Sequence, residues 1–326
     1  VARGHAPLRP AAPVAALGSV ALAVLLSACS STPLPPWPSS GATPGTVTTA
    51  PQPPAPAPDA SGAVTSPVDT APLEARPLGS WQESPGVAAR FPDPPTRYDT
   101  PGLADGRTAF TTNAELSQML RQLVVTARQA GSKAELLTPG TSQEGAPIQA
   151  LLLTRAAGTS LQQLDESGRP TVMLVGQQHG NEPAGAEALL VVARELGGGR
   201  LSSLLDQVNV LIVPRANPDG AAANRRTTAN GIDMNRDHLL LKTPEARALA
   251  ELVRAYRPIA TFDSHEFTVA GRYVEKFQGV QRYDALLQTP TTGNVHEFVT
   301  KASNEWYLLP IQKALTDQGQ STNWYY

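Results

Sequence analysis

The chain has 326 residues, 31 of them proline, and a formal net charge of −2. That balance gives no bias toward nucleic acid or an anionic membrane surface, and a single cysteine, Cys29, excludes an intrachain disulfide and a Cys-rich zinc site. Twenty prolines fall in the first 100 residues. This excludes a packed core there and leaves roughly 230 residues for one good-sized core.

Residues 1–29 read as an export signal. Arg3 and Arg9 give a basic start, and Ala11–Leu26 is apolar but too short for a typical membrane-spanning helix. Leu26-Ser27-Ala28-Cys29 resembles the bacterial lipobox, which implies acylation of Cys29 and a lipid anchor to the membrane. The expected location is the periplasmic side of the cell envelope. Residues 30–95 are rich in Pro, Ala, Ser and Thr and read as a disordered tether. Its low-complexity part would reach on the order of 150 Å if fully polyproline-II and about 40 Å as a coil.

The domain is read from 96 to 326. Asn113–Ala130 places Leu116, Met119, Leu120, Leu123 and Val124 on one face, which predicts an amphipathic helix. Ala134–Leu137 and Ile148–Thr154 read as strands around the turn-forming Gly140-Thr141-Ser142-Gln143-Glu144-Gly145, so a hairpin is expected. Gly158–Arg169 reads as a polar loop. Thr171–Gly176 is a short apolar run suited to a central strand. Pro183 then opens a helix over Ala184–Leu196, stopped by Gly197–Gly199. Leu201–Asp206 predicts a short helix and Val208–Val213 another strand, ending in the turn Asn217-Pro218-Asp219-Gly220. Thr243 caps a helix to Tyr256, with Pro244 at its first position and Leu249, Leu252 and Val253 facing inward. Ile259–Phe262 is a further strand that runs straight into Asp263-Ser264-His265-Glu266. Strand and helix alternate, so the expected fold is α/β. A mixed, largely parallel central sheet would be flanked by helices.

Three polar clusters follow three apolar strands directly: His179 with Glu182, the stretch Asn217–Arg236, and His265. Parallel strands bring such clusters to one edge of a sheet, where ligands bind. Two imidazoles and a carboxylate with an open fourth position form a catalytic zinc set. Singly, each cluster could be a polar loop, a hydrogen-bonded core histidine or solvated charge.

The chain resembles the M14 zinc carboxypeptidase family from about Gly140 to Glu266. The match runs through G-T-S-x-E-G, H-G-N-E-P, N-P-D-G, G-x-D-x-N-R and the strand-terminal histidine. The resemblance implies that His179, Glu182 and His265 hold one Zn2+ and that Asp233 orients the first zinc histidine. It also implies that Asn235 and Arg236 grip the substrate's terminal carboxylate. Arg225 would polarise the scissile carbonyl, with its neighbour Arg226 as the alternative. The implied reaction is hydrolysis of a C-terminal peptide bond by a metal-activated water.

The family's late-strand catalytic glutamate is not found. Among residues 266–326, Glu266, Glu275, Glu297 and Glu305 lack its context, and Glu266 reads as structural or as a support for the ligands. The capping tyrosine cannot be chosen among Tyr273, Tyr283, Tyr307, Tyr325 and Tyr326. The ending Ser321–Tyr326 would expose Trp324, Tyr325 and Tyr326 without a polar cap, so the chain is expected to be C-terminally truncated. The spacing from Glu182 to His265 is shorter than in the digestive carboxypeptidases, so their specificity is not transferred. Three alternatives stand beside a carboxypeptidase acting on peptides with a free carboxylate. One is an amidase acting on peptidoglycan stem peptides. Another is an N-acyl-amino-acid deacylase of the desuccinylase type. The third is a zinc-binding pseudo-enzyme that lacks the base.

Overall fold

The computed structural model describes residues 85–90, 98–267 and 272–325. The expected export signal and Cys29 lie outside the described residues. Of the unit Pro33–Pro95, only the six-residue helix Pro85–Arg90 is described.

The unit that contains Thr96–Tyr326 is built on a five-stranded sheet. Its strands are β1 (Lys133–Thr141), β2 (Pro147–Thr154), β3 (Thr171–Gly176), β4 (Asn209–Val213) and β5 (Ala260–Ser264), in the order β1-β2-β4-β3-β5. β2 is antiparallel to both neighbours, while β3 pairs in parallel with β4 and β5. Four of the five strands therefore point the same way, and the largely parallel α/β fold is as expected. The carboxyl ends of β3, β4 and β5 share one edge of the sheet, and the β1–β2 turn lies at that edge too.

The main helices are α1 (Asn113–Gln129), α2 (Leu161–Glu166), α3 (Ala184–Gly198), α4 (Pro218–Ala222) and α5 (Pro244–Tyr256). Thr112 starts α1 through a reciprocal cap with Glu115, and α1 buries Leu116, Leu120, Leu123 and Ala127. Each buried leucine contributes roughly 2 kcal/mol. Met119 and Val124 pack against the same core beside α3. A second core lies on the other sheet face, where Leu249 and Leu252 of α5 meet Met173, Val175, Leu211 and Val213. The sheet is thus covered on both faces, which is why β3 and β4 are buried throughout.

Several expectations need correction. Gly158–Arg169 is not all loop. Ser160 and Gln163 cap each other and nucleate α2, whose Leu164 is buried. Val253 does not face inward; it is 45% exposed on the outer side of α5. Asn-Pro-Asp-Gly is more than a turn, because the Asn217 side chain accepts from the Gly220 N–H and starts α4. The short helix expected over Leu201–Asp206 is present as the 3-10 helix Ser202–Asp206. Beyond the sheet follow α6 (Arg272–Phe277), α7 (Glu297–Ala302) and α8 (Leu309–Asp317). A separate parallel pair is formed by β6 (Ala285–Leu287) and β7 (Thr322–Trp324), in which Trp324 is partly buried rather than exposed.

Candidate metal centre

β3 ends at Gly176, and the chain turns sharply. Gln177 adopts φ +49°, a left-handed conformation rare outside glycine. The Glu182 N–H then donates to the His179 carbonyl over 3.1 Å, so the H-x-x-E turn places both side chains on one side. Gly180 packs against the backbone of Gly220 and Ala221, where a Cβ would overlap them. The H-G-N-E and N-P-D-G glycines are therefore needed for backbone contact between the two loops. Asn217 is fully buried, and its amide donates to the Gln178 carbonyl over 3.2 Å. Asp219 accepts from the Ser142 hydroxyl (2.6 Å) and the Glu144 N–H (3.0 Å), which docks the β1–β2 turn onto the same edge.

The three predicted ligands converge. His179 and Glu182 are buried, at 3% and 7% exposure, and His265 follows β5 at the rim. His179 Nδ1 lies 2.8 Å from Glu182 Oε1, and His265 Nδ1 lies 2.9 Å from Glu182 Oε2. The two Nδ1 atoms are 3.1 Å apart. Lone-pair donors this close need a proton or a cation between them, and one donor atom from each residue lies within 4.8 Å of the others. Two imidazole nitrogens and a carboxylate oxygen fit a divalent ion of the zinc type.

The surroundings are strongly polarised. Burial works against a charged Glu182. Hydrogen bonds from His179, His265 and the Glu266 N–H outweigh it and hold the carboxyl at about 2. Burial likewise opposes charge on His265, but Asp263 and Glu182 outweigh it and push the imidazole up to about 9. Asp233 Oδ1 lies 3.2 Å from His179 Nε2, as the orienting role requires. Burial opposes its charge as well, yet Arg226 and His179 hold its carboxyl below the usual range.

Asp233 also caps the 3-10 turn Met234–Arg236 by accepting from the Asn235 N–H at 3.0 Å. Met234 is fully buried and pins that turn to the core. Asn235 Nδ2 lies 3.0 Å from His265 Nε2, and Arg236 is exposed with Nη1 on the Asn235 carbonyl.

Of the adjacent arginines, Arg226 borders the cluster and Arg225 does not. Arg226 Nε donates to Asp233 Oδ2 (3.0 Å), and its Nη1 is 3.5 Å from Glu182 Oε1. Arg225 makes no hydrogen bond to this group, and its Nε is buried without a partner. The geometry thus places the alternative, Arg226, and not Arg225, beside the cluster among the described residues. The two lie on an irregular loop, where no periodicity tells which side chain turns inward. Glu266 does not reach in either; its carboxylate accepts from the Ala184 N–H at the start of α3.

Sequence reasoning missed two further groups. Arg215 is 5% exposed and donates to Gln177 Oε1, Asn113 Oδ1 and the Thr111 carbonyl. Its position next to Asn-Pro-Asp-Gly at a strand end was the available signal. Asp263 accepts from Gln178 Nε2 and faces His265 Nε2; only its two-residue offset from His265 hinted at this.

A His-Glu-His cluster able to hold a divalent ion, at the carboxyl edge of an α/β sheet and beside Arg226 and Arg236, points to a class of protein. The chain belongs to the zinc carboxypeptidase family M14, whose model matches residues 119–301. It is similar to Carboxypeptidase 2 of Trichophyton rubrum, 28% identical over 243 residues, covering 72% of this chain and 41% of that protein. It is also similar to Carboxypeptidase D of Homo sapiens, 27% identical over 215 residues, covering 52% of this chain and 16% of that one. Among solved structures, carboxypeptidase A from Helicoverpa armigera matches with a TM-score of 0.43 and 19% identity, over 56% of this chain and 51% of that one. The chain thus spans about two fifths of the length of the first curated relatives it matches.

Proposed function

We propose that this chain carries the metal-binding and carboxylate-gripping part of a zinc-dependent metallocarboxypeptidase. The observation that carries the reading is the convergence of His179 Nδ1, Glu182 and His265 Nδ1 on one point. A bound zinc ion would lower the pKa of a water to about 7 and polarise a carbonyl. The protein's own residues do the rest. Asp233 holds the His179 ring, and Arg226 places a cation beside the ligands, where negative charge develops on an attacked carbonyl. Arg236 pairs with no carboxylate among the described residues; its Nη1 rests on the Asn235 carbonyl, and the rest of its exposed guanidinium can meet a substrate carboxylate, with Asn235 beside it.

The test uses blocked dipeptides with a free or an amidated C-terminus. Hydrolysis of the free acid, lost on chelation and restored by zinc, is expected. Equal cleavage of the amide would remove the carboxypeptidase reading. No glutamate suited to act as the base touches the cluster among the described residues, so zinc retention without hydrolysis would support the metal centre and leave the peptidase step to be tested on a longer chain. The envelope location and lipid anchor rest on the Leu26–Cys29 sequence alone.

A further inference from the structure

Each histidine of the metal centre offers Nδ1 to Glu182 and keeps Nε2 for another partner. For His179 that partner is Asp233. For His265 the nearer partner is Asp263, whose Oδ2 lies 2.8 Å from Nε2; Asn235 Nδ2 lies 3.0 Å from the same atom. We infer that Asp263 is a positioning residue for His265 and that Gln178 is the strut that holds Asp263. The inference rests on the reading of His179, Glu182 and His265 as metal ligands.

Backbone geometry builds this pair. Asp263 and His265 are two residues apart on extended chain, so their side chains fall on the same side. Ser264 between them faces the other way, toward Gly185 at the start of α3. The parallel register sets Asp263 opposite Val175 and Ser264 opposite Gly176. Two residues past Gly176, Gln178 can therefore reach Asp263, and its Nε2 donates to Oδ2 over 2.6 Å. The other end of the Gln178 amide is fixed as well, with Oε1 2.8 Å from His238 Nε2. The chain His265–Asp263–Gln178–His238 runs from the metal centre to the loop that carries Asn235 and Arg236.

The chemistry follows from the tautomer. A carboxylate at Nε2 keeps the ring proton there and leaves the Nδ1 lone pair for a metal. It also stops the ring from turning. This matters more for His265 than for His179, because His265 sits at the exposed rim and has less packing to hold it. A carboxylate on a strand that is merely solvated would make neither contact.

The experiment compares zinc affinity of the full chain with that of Asp263→Ala, Asp263→Asn and Gln178→Ala, using a competing chromophoric chelator. Circular dichroism and melting of the metal-free proteins check the fold. Asp263→Ala is expected to weaken zinc about 10–100-fold. Asp263→Asn, which keeps an oxygen acceptor, should recover part of that loss. Gln178→Ala should act in the same direction and add nothing to Asp263→Ala, because it works through Asp263. The visible spectrum of the cobalt-loaded protein should change in Asp263→Ala, a readout that general destabilisation would not move. A folded Asp263→Ala that binds zinc within twofold of the unaltered chain would overturn the inference and leave the metal centre standing. An unaltered chain that binds no zinc would overturn both. If the Ala variant fails to fold, near-isosteric Asp263→Asn decides by the same criterion, with unchanged affinity and cobalt spectrum counting against the role.

Discussion

Arg215 Nε donates to Gln177 Oε1 over 2.6 Å and so ties the end of β4 to the residue that follows β3. Gln177 is the left-handed turn residue before the metal loop, and its own Nε2 donates to the Gly180 carbonyl over 2.8 Å. The same guanidinium holds Thr111 and Asn113 ahead of and at the start of α1. Burial pulls Arg215 down to about 10, against the nearby Glu187 and Glu115, so it remains a cation at neutral pH.

Replacing Arg215 with Met should therefore destabilise the fold strongly. Three acceptors lose a buried donor, and Glu187 loses a neighbouring positive charge. The expected loss is about 3–5 kcal/mol, read from urea unfolding of the metal-free protein. A change under about 1 kcal/mol would mean that the three acceptors find water instead.

Glu182→Gln should abolish zinc retention while the metal-free protein stays folded. The amide can still take part in hydrogen bonds with the two histidines, but it lacks the charge and the ligand strength of a carboxylate. Metal analysis after dialysis is expected to fall from about one zinc per chain to near zero. Full retention in the variant would remove Glu182 from the ligand set.

Zinc binding should release a proton at neutral pH. In the metal-free protein Asp263 and Glu182 raise His265 to about 9 despite burial, so it is protonated at pH 7 and must lose that proton to offer Nδ1. Apparent affinity should rise with pH and level off near pH 9. Titration calorimetry in buffers of different ionisation heat should show the release. The same shift has a stability consequence of opposite sign. The raised pKa stabilises the metal-free fold fully below the ordinary imidazole value, and this contribution fades as pH rises through about 9. Proton-neutral binding at pH 7 would contradict a raised His265 pKa in the metal-free protein.

Asp237 should matter through the loop that leads into α5. It is buried and accepts from the Lys242 N–H, the Thr243 N–H and the Thr243 hydroxyl. Burial opposes its charge, but these donors win and hold the carboxyl below the usual range. A depressed pKa gives stability above the ordinary carboxylate value that is lost as pH falls through the folded one. Asp237→Asn should therefore be less stable than the unaltered chain at pH 6, with the gap closing toward pH 3. A gap independent of pH would assign the effect to packing instead of charge.

Patterns with a short reach were legible in the sequence. The apolar faces of α1 and α5, the buried runs of β3 and β4, and the cap Thr243 all depend on neighbours within a few residues. Two such signals went unread, the Thr112-x-x-Glu115 box that starts α1 and the Ser160-x-x-Gln163 box that starts α2. The three metal-ligand candidates were also legible, because His179 and Glu182 share one turn and His265 directly follows a strand.

The sequence by itself determined the α/β class, the strand-end placement of the candidate ligands and the carboxypeptidase-like motifs. Each is written in local spacing or in residue type. Only the tertiary structure decided which of Arg225 and Arg226 meets the cluster, what holds Gln177, and that Asp263 and Gln178 join behind His265. These contacts link residues 44, 38 and 85 positions apart. They arise from the parallel register of β3, β4 and β5 and from irregular loops, and no local periodicity records where two distant loops will touch.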